Sequence, residues 1–207
     1  MTAADTAPPR AELYGLLAEL LSFPTGGLAE AISAGEVAHA VHLLAPALPF
    51  ELEADRPDLA AEIDGPSLES EYIRLFDLPG GGPPCPLYTG VYSPARRDAM
   101  EEILRFYRFF GLTIADRGKD LPDAVPTVLE FAQFLVLKDG AGPAQRDVLA
   151  RHLVPWVTAT RSRLPKRAPG PFYAGVAALA HEFIVAECAY LESEFGVAER
   201  PQLAPSR

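Results

Sequence analysis

Apolar residues recur at helical spacing along most of this chain, and prolines or glycines mark where each stretch ends. In the first stretch the leucines lie three or four residues apart, at Leu13, Leu16, Leu17, Leu20 and Leu21. The stretch stops at Pro24. Residues three and four apart share one face of an α-helix, whereas a half-buried strand alternates with a period of two. Since no convincing alternating stretch is present, the sequence predicts an all-α fold.

The same spacing predicts seven to nine helices in one domain. The first helix is expected to begin near Arg10, and others are predicted at about 36–44, 67–78, 95–110, 123–138, 143–160 and 172–195. Pro155 is expected to kink the helix over 143–160, because proline lacks the N–H that a helix interior needs. We predict a single domain over residues 10–196 with a central loop rich in Gly and Pro. Residues 1–9 and 197–207 are predicted to be flexible ends.

Charge and composition limit the partners. The net charge is −10, and residues 1–71 hold thirteen of the 28 acidic residues but two of the 18 basic ones. This balance disfavours nucleic acid, and the acidic third is either a solubilising surface or a face that attracts a basic partner. No apolar run has the length of a membrane span, and the first residues lack the features of a signal peptide. The sequence therefore predicts a cytoplasmic protein.

The residues that usually carry metal or catalytic chemistry are sparse. Glu36 and His39 form a Glu-x-x-His motif, with His42 three residues further on, but a di-iron bundle needs two such motifs and two more glutamates. Cys85 and Cys188 are isolated, which excludes a disulfide framework or a zinc module. The basic stretch RSRLPKR at 161–167 is interpreted as a solvated loop. We therefore expect no metal, no cofactor and no catalytic site.

One segment, GGGPPCPLYTGVYSP at residues 80–94, combines glycines and prolines with aromatic residues. A phosphate-binding loop needs Lys and then Ser or Thr after its last glycine, and prolines follow here instead. An ordinary linker is polar, whereas this segment spaces Tyr88 and Tyr92 among residues that cannot be helical. The segment therefore predicts a preformed aromatic surface.

The order of six segments resembles that of the TorD/DmsD/NarJ family of cytoplasmic chaperones for molybdenum redox enzymes. The segments are EYIRLF (71–76), CPLYTGVY (85–92), MEEILRFYRFFGL (100–112), LPD with LEF (121–131), HLVPW (152–156) and PFYAGVAAL (171–179). The resemblance covers about residues 10–195. The sequences CPLYTGVY and LRFYRFFGL are most similar to the corresponding segments of chaperones for type II dimethylsulfoxide-reductase-like enzymes.

The resemblance implies a chaperone, not an enzyme, that binds the apo catalytic subunit of a molybdenum enzyme until the cofactor is inserted. Binding is often through the twin-arginine leader of that subunit. By matching motifs, the leader-binding groove would be lined by Tyr72, Leu75, Phe76, Tyr88 and Tyr92. Pro122 and Asp123 match a loop that commonly reads Pro-Asp-His. Ala124 stands in place of the histidine, so a contact or proton-linked role of that side chain does not carry over.

Several alternatives remain open at this point. Helical spacing does not distinguish a groove from the core for Tyr72, Leu75 and Phe76. A helical scaffold or assembly subunit that stays in a mature redox complex is a second possible function. A small helical enzyme acting on nucleotides is a third, although no phosphate-binding motif supports it. Both a monomer and a dimer are compatible with the sequence.

Overall fold

The computed structural model describes residues 3–77, 82–113, 121–167 and 170–198, with side chains from Thr6 onward. These ranges contain nine α-helical segments: α1 Ala3–Leu20, α2 Leu28–Ser33, α3 Glu36–Leu44, α4 Gly65–Phe76, α5 Arg96–Phe109, α6 Val125–Leu137, α7 Gly142–Val148, α8 Val154–Arg163 and α9 Pro171–Phe195. A π-helical stretch, Leu149–Leu153, joins α7 to α8. The described ranges contain one isolated β-bridge and no strand, which confirms the all-α prediction.

The core is built around α9, the longest helix. Pro171 stands in its first turn, where a missing N–H costs no helical hydrogen bond, and Gly196 ends it with a positive φ of 79°. The helix α8 packs along α9, and α1 packs along α6. Trp156 of α8, with Phe172 and Tyr173 of α9, is fully buried in this core. These three side chains therefore serve packing.

By length and composition α9 is the one helix of the described ranges that could cross a membrane. Its most apolar 18-residue window has a mean hydropathy of 1.4. The central helix of a folded domain has the same properties, and 56% of the apolar window is buried among the other helices. The helix also carries Glu182 and Glu187 within its length. Length and composition are therefore weak evidence for a span.

The helix α1 begins at Ala3, earlier than the predicted start near Arg10. Pro8 and Pro9 lie inside it, and each removes a hydrogen bond that a helix interior would normally make. Thr6, which is 2% exposed, packs into the fold on this first part of the helix. The structure thus places residues 3–9 in the first turns of α1, and the flexibility of this end stays a prediction. Residues 199–207 lie outside the described ranges.

The π-helical stretch Leu149–Leu153 lies directly before Pro155, the residue at which the sequence predicts a kink. Pro155 cannot donate to the carbonyl of Arg151, and its ring crowds that carbonyl. A π-helical turn is wider, because each N–H bonds five residues back instead of four. A wider turn leaves more room for the proline ring, and within this stretch His152 is 2% exposed.

Glu102 of α5 lies beside this widened turn. Arg151 Nη1 donates to Glu102 Oε1 at 2.6 Å, and His152 Nε2 lies 3.5 Å from Glu102 Oε2. The contact with His152 is the main reason that the pKa of Glu102 is lowered to about 2, and the contact with Arg151 adds to this effect. Partial burial of the carboxyl acts in the opposite direction. A glutamate in the unfolded chain titrates near pH 4.3. The ionised carboxylate therefore stabilises the folded state above about pH 4.3, and this contribution is lost as the pH falls towards about 2.

We expect the Glu102→Gln variant to lose this acid sensitivity. Between pH 5 and pH 3 the free energy of unfolding of the unmodified protein should fall further than that of the variant, by about 1–2 kcal/mol. Urea unfolding at a series of pH values measures the difference. Glu101→Gln, on the exposed side of the same helix, is the matched control and should keep the original slope. Identical pH slopes for the unmodified protein and Glu102→Gln would contradict the prediction.

Candidate functional site

Main-chain hydrogen bonds fix the CPLYTGVY segment on both sides. Cys85 N donates to Leu75 O of α4 at 3.1 Å, and Val125 N of α6 donates to Leu87 O at 2.9 Å. Tyr88 forms the β-bridge with Ala124. These bonds hold the segment between the end of α4 and the start of α6, so its side chains project from an anchored backbone.

Asp123, which lies two residues before α6, also anchors the CPLYTGVY segment. Its Oδ2 accepts a hydrogen bond from Gly90 N at 3.0 Å, and its carbonyl accepts one from Thr89 N at 2.9 Å. A Cβ atom at position 90 would lie 2.7 Å from Asp123 Oδ2, so the close approach requires glycine. Tyr107 donates its hydroxyl to Pro122 O at 2.9 Å. Pro122 and Asp123 are thus held against the segment and α5, and Asp123 is only 1% exposed.

An open pocket of about 250 Å³ lies where four parts of the chain meet: the end of α1, the end of α4, the CPLYTGVY segment and the start of α6. We call it the aromatic pocket. Its lining residues are Ser22, Phe23, Tyr72, Phe76, Asp77, Leu87, Tyr88, Ala124, Pro126 and Thr127. Asp77 is the one charged side chain among them.

The aromatic rings of this pocket hold one another in place. The centroid of the Tyr72 ring lies 5.5 Å from that of Phe23 and 5.1 Å from that of Phe76, both edge-on. Such edge-to-face pairs are a favoured aromatic geometry. The Tyr72 hydroxyl donates to Leu21 O at 3.2 Å. Phe23 is 47% exposed, so a preordered aromatic wall faces solvent.

The structure separates the residues that the sequence grouped into one groove. Tyr72, Phe76 and Tyr88 line the aromatic pocket. Leu75, on the same helix, is completely buried and belongs to the core. Phe76 belongs to both, because it is 4% exposed and still forms part of the pocket wall. On α4, Tyr72 and Phe76 thus lie at the pocket wall and Leu75 lies in the core, and a role of any of them in leader binding stays a prediction.

Tyr92 lies away from the aromatic pocket. Its hydroxyl donates to Pro86 O at 3.0 Å, and the guanidinium carbon of Arg163 lies 5.5 Å from its ring centroid. Burial raises the pKa of Tyr92 to about 12. Tyr88 and Tyr92 stand at opposite ends of the 3₁₀ turn Thr89–Tyr92, so they present their rings to different surroundings.

Sequence reasoning missed several residues of the pocket. Phe23 and Asp77 were not predicted, and neither were Leu87 and Pro126. A signal was available for Phe23, which is a large aromatic residue placed after the last leucine of α1 and directly before Pro24. Ala124, at the position where the resembled family commonly has histidine, lines the pocket with a methyl group. The pocket wall is correspondingly apolar there.

The described ranges hold no cluster of three or more side chains that could bind a metal ion. Glu36, His39 and His42 are all exposed on α3. Cys85 and Cys188 are free and buried in the core.

Comparison with known proteins gives consistent matches. The family profile described as nitrate reductase delta subunit matches residues 33–161. The chlorate reductase assembly chaperone protein of Ideonella dechloratans is 38% identical over 111 residues, which cover 47% of this chain and 58% of the relative. The selenate reductase assembly chaperone protein of Thauera selenatis is 35% identical over 111 residues, with the same coverage of 47% and 58%. Over these two relatives the chain thus spans little more than half of their length.

A third relative matches over most of both chains. The perchlorate reductase assembly chaperone protein of Dechloromonas aromatica (strain RCB) is 29% identical over 198 residues, which cover 87% of this chain and 88% of the relative. Among solved structures, a crystal structure of a candidate redox enzyme maturation protein from Archaeoglobus fulgidus superposes with a TM-score of 0.56. The two share 18% identity, over 84% of this chain and 93% of that one, so the likeness concerns the fold. With its matched profile and these relatives, the chain belongs to the nitrate reductase delta subunit family, a family of maturation chaperones for molybdenum enzymes and not of catalysts.

Proposed function

We propose that this chain binds a segment of the apo catalytic subunit of a molybdenum reductase in the aromatic pocket and holds the subunit for cofactor insertion. The observation that carries this proposal is the open, preordered aromatic wall formed by Phe23, Tyr72 and Tyr88. The names of the relatives, which are assembly chaperones of chlorate, perchlorate and selenate reductases, support the class of client.

The size and composition of the pocket suit the side chains of a protein segment. Its volume of about 250 Å³ is below the 300–1,000 Å³ or so of pockets that enclose a small ligand. It therefore fits one or two apolar side chains of an extended or helical segment laid across it. Tyrosine suits this contact because its ring buries apolar area while its hydroxyl still forms hydrogen bonds.

The leader of the catalytic subunit is the segment that we favour. A twin-arginine leader combines an apolar stretch with two arginines, and the aromatic pocket combines apolar rings with the Asp77 carboxylate. A guanidinium and a carboxylate form strong, charge-assisted hydrogen bonds. In this proposal the protein acts in the cytoplasm, before the client is exported or assembled.

We expect the Tyr88→Ala variant to bind the client about ten- to a hundredfold more weakly, a loss of about 1–3 kcal/mol. Tyr88 is half-buried at the pocket and its backbone is anchored independently of its ring, so the fold should remain intact. Isothermal titration with a leader peptide and with the leader-deleted apo-subunit measures the effect. The two titrations also show which segment is recognised.

Phe109→Ala is the matched control for this experiment. Phe109 is 82% exposed and lies outside the aromatic pocket, so its removal should leave client binding unchanged. Thermal melts of both variants separate a binding defect from a folding defect. If Tyr88→Ala binds the client normally, or loses binding only in proportion to unfolding, the aromatic pocket is not the client site.

A further inference from the structure

A second concave surface, of about 590 Å³, is lined by Gly82, Pro84, Ser162, Arg163, Lys166 and Arg167. We call it the basic pocket. Its cations come from the RSRLPKR stretch, which the sequence interpretation placed in a solvated loop. The structure corrects this: α8 continues through Arg163, and the 3₁₀ turn Leu164–Lys166 follows directly. Leu164 is 1% exposed, and this buried side chain anchors the turn.

Two contacts hold the cations of the basic pocket on a defined frame. The Arg163 guanidinium carbon lies 5.5 Å from the centroid of the Tyr92 ring, a cation–π distance. Arg74 Nη1 of α4 donates to Arg167 O at 2.6 Å, which ties the end of the turn to a neighbouring helix. The side chains are exposed, but the backbone that carries them is fixed on both sides.

The three basic side chains of the pocket, Arg163, Lys166 and Arg167, have no carboxylate partner within the described part of the chain. The ion pairs of that part use other basic residues, on α1, α5, α7 and the segments between the helices. This is unexpected in a chain with a net charge of −10, where acidic side chains are plentiful. Cations brought together on one surface repel one another, and that repulsion is relieved when an anion binds between them.

We propose that the basic pocket binds the phosphate group of a small ligand. One guanidinium group can donate two parallel hydrogen bonds to two oxygens of a phosphate, and the ammonium group of Lys166 adds a positive charge on a flexible side chain. Gly82 has a φ of 81° and no side chain, so the ligand can approach the backbone there. The volume of about 590 Å³ falls in the range of small-ligand sites, about 300–1,000 Å³, and favours such a ligand over an acidic protein segment.

The test uses inorganic pyrophosphate as the probe and the full chain as the protein. In isothermal titration at low salt we expect the unmodified protein to bind pyrophosphate and the Arg163→Ala/Lys166→Ala variant to bind it at least about tenfold more weakly. The matched control is Arg105→Ala/Arg108→Ala, which removes the same charge from exposed positions of α5. That control should keep its affinity within about a factor of two, because charges outside the pocket are screened.

Three results would overturn the proposal. Absence of pyrophosphate binding by the unmodified protein would mean that the cations are an ordinary solvated surface. Equal losses in the two double variants would mean a general effect of charge. Tighter binding of an oligoglutamate peptide than of pyrophosphate would assign the surface to an acidic protein segment. Should the melt of Arg163→Ala/Lys166→Ala show unfolding, Lys166→Ala alone provides the same comparison. Tyr88→Ala should bind pyrophosphate normally, which separates this proposal from the one on client binding.

Discussion

Replacing Glu187 with leucine should destabilise the fold by about 3–5 kcal/mol, the usual cost of leaving one member of a buried ion pair alone. Glu187 of α9 is completely buried, and its Oε1 accepts from Arg10 Nε of α1 at 2.9 Å. Gln145 of α7 donates to the same oxygen at 2.7 Å. Without the carboxylate, the guanidinium of Arg10 would remain charged and buried, with the neutral Gln145 and Tyr190 side chains as neighbours and no counter-charge. Urea unfolding followed by circular dichroism measures the loss.

The double variant Arg10→Met/Glu187→Leu is the control for this prediction. Replacing both members of a buried ion pair by apolar residues of similar volume is often neutral or stabilising. The double variant should therefore recover most of the stability that Glu187→Leu loses. If Glu187→Leu costs less than about 1 kcal/mol, water must reach Arg10 and the pair is not the link between three helices that its burial indicates.

The second large effect is expected from Phe76→Ala, which should cost about 3–5 kcal/mol of unfolding free energy. Phe76 is 4% exposed, and the centroid of its ring lies 5.1 Å from that of Tyr72 and 5.2 Å from that of Tyr173. Truncation would leave a cavity beside both rings and remove part of the wall of the aromatic pocket. Thermal and urea unfolding measure the loss, and client binding should weaken as well.

Phe109→Ala again provides the comparison, because its ring is 82% exposed and surface substitutions usually change stability by less than about 0.5 kcal/mol. A similarly small change for Phe76→Ala would show that its ring belongs to the open pocket alone. Together with Tyr88→Ala, the series separates a residue that supports both the fold and the pocket from one that serves the pocket.

Part of the site could be predicted from α4 alone. The spacing of Tyr72, Leu75 and Phe76 places all three towards one side of the helix, and they do lie there. Their different fates depend on a few tens of degrees around the helix axis and on which neighbours cover each position. Spacing carries no information about those neighbours, since Leu21 and Phe23 contact Tyr72 from a distant part of the chain.

Composition does not show whether the rings of Tyr88 and Tyr92 face the same surface. Proline and glycine content indicates a fixed, non-helical segment, and the main-chain bonds of Leu87 and Gly90 show such an anchored segment. The direction of each ring depends on the 3₁₀ turn between them. Tyr88 precedes the turn with an extended backbone, at a φ of −131° and a ψ of 119°, whereas Tyr92 is the last residue of the turn, so helical spacing does not relate the two rings. A short sequence pattern does not specify that turn.

The buried pair of Arg10 and Glu187 shows another limit of local patterns. The two residues are 177 positions apart, and each looks like an ordinary charged residue of an amphipathic helix. The same holds for the start of α1, where the helix includes Pro8 and Pro9 and Thr6 is buried. The family could be recognised nonetheless, because its motifs are short segments whose order is preserved even where their contacts are not apparent.

The pairing of the CPLYTGVY segment with the start of α6 affects how this surface can diversify. The bonds that set the spacing of the two pocket walls, at Leu87, Tyr88 and Ala124, join backbone atoms. The more exposed side chains of the walls, such as Phe23 and Tyr88, can change in size or polarity while that spacing is retained, whereas buried Phe76 also supports the fold. Under the proposed function, one helical frame could in this way be fitted to different clients by exchange of a few exposed lining residues, with the architecture left unaltered.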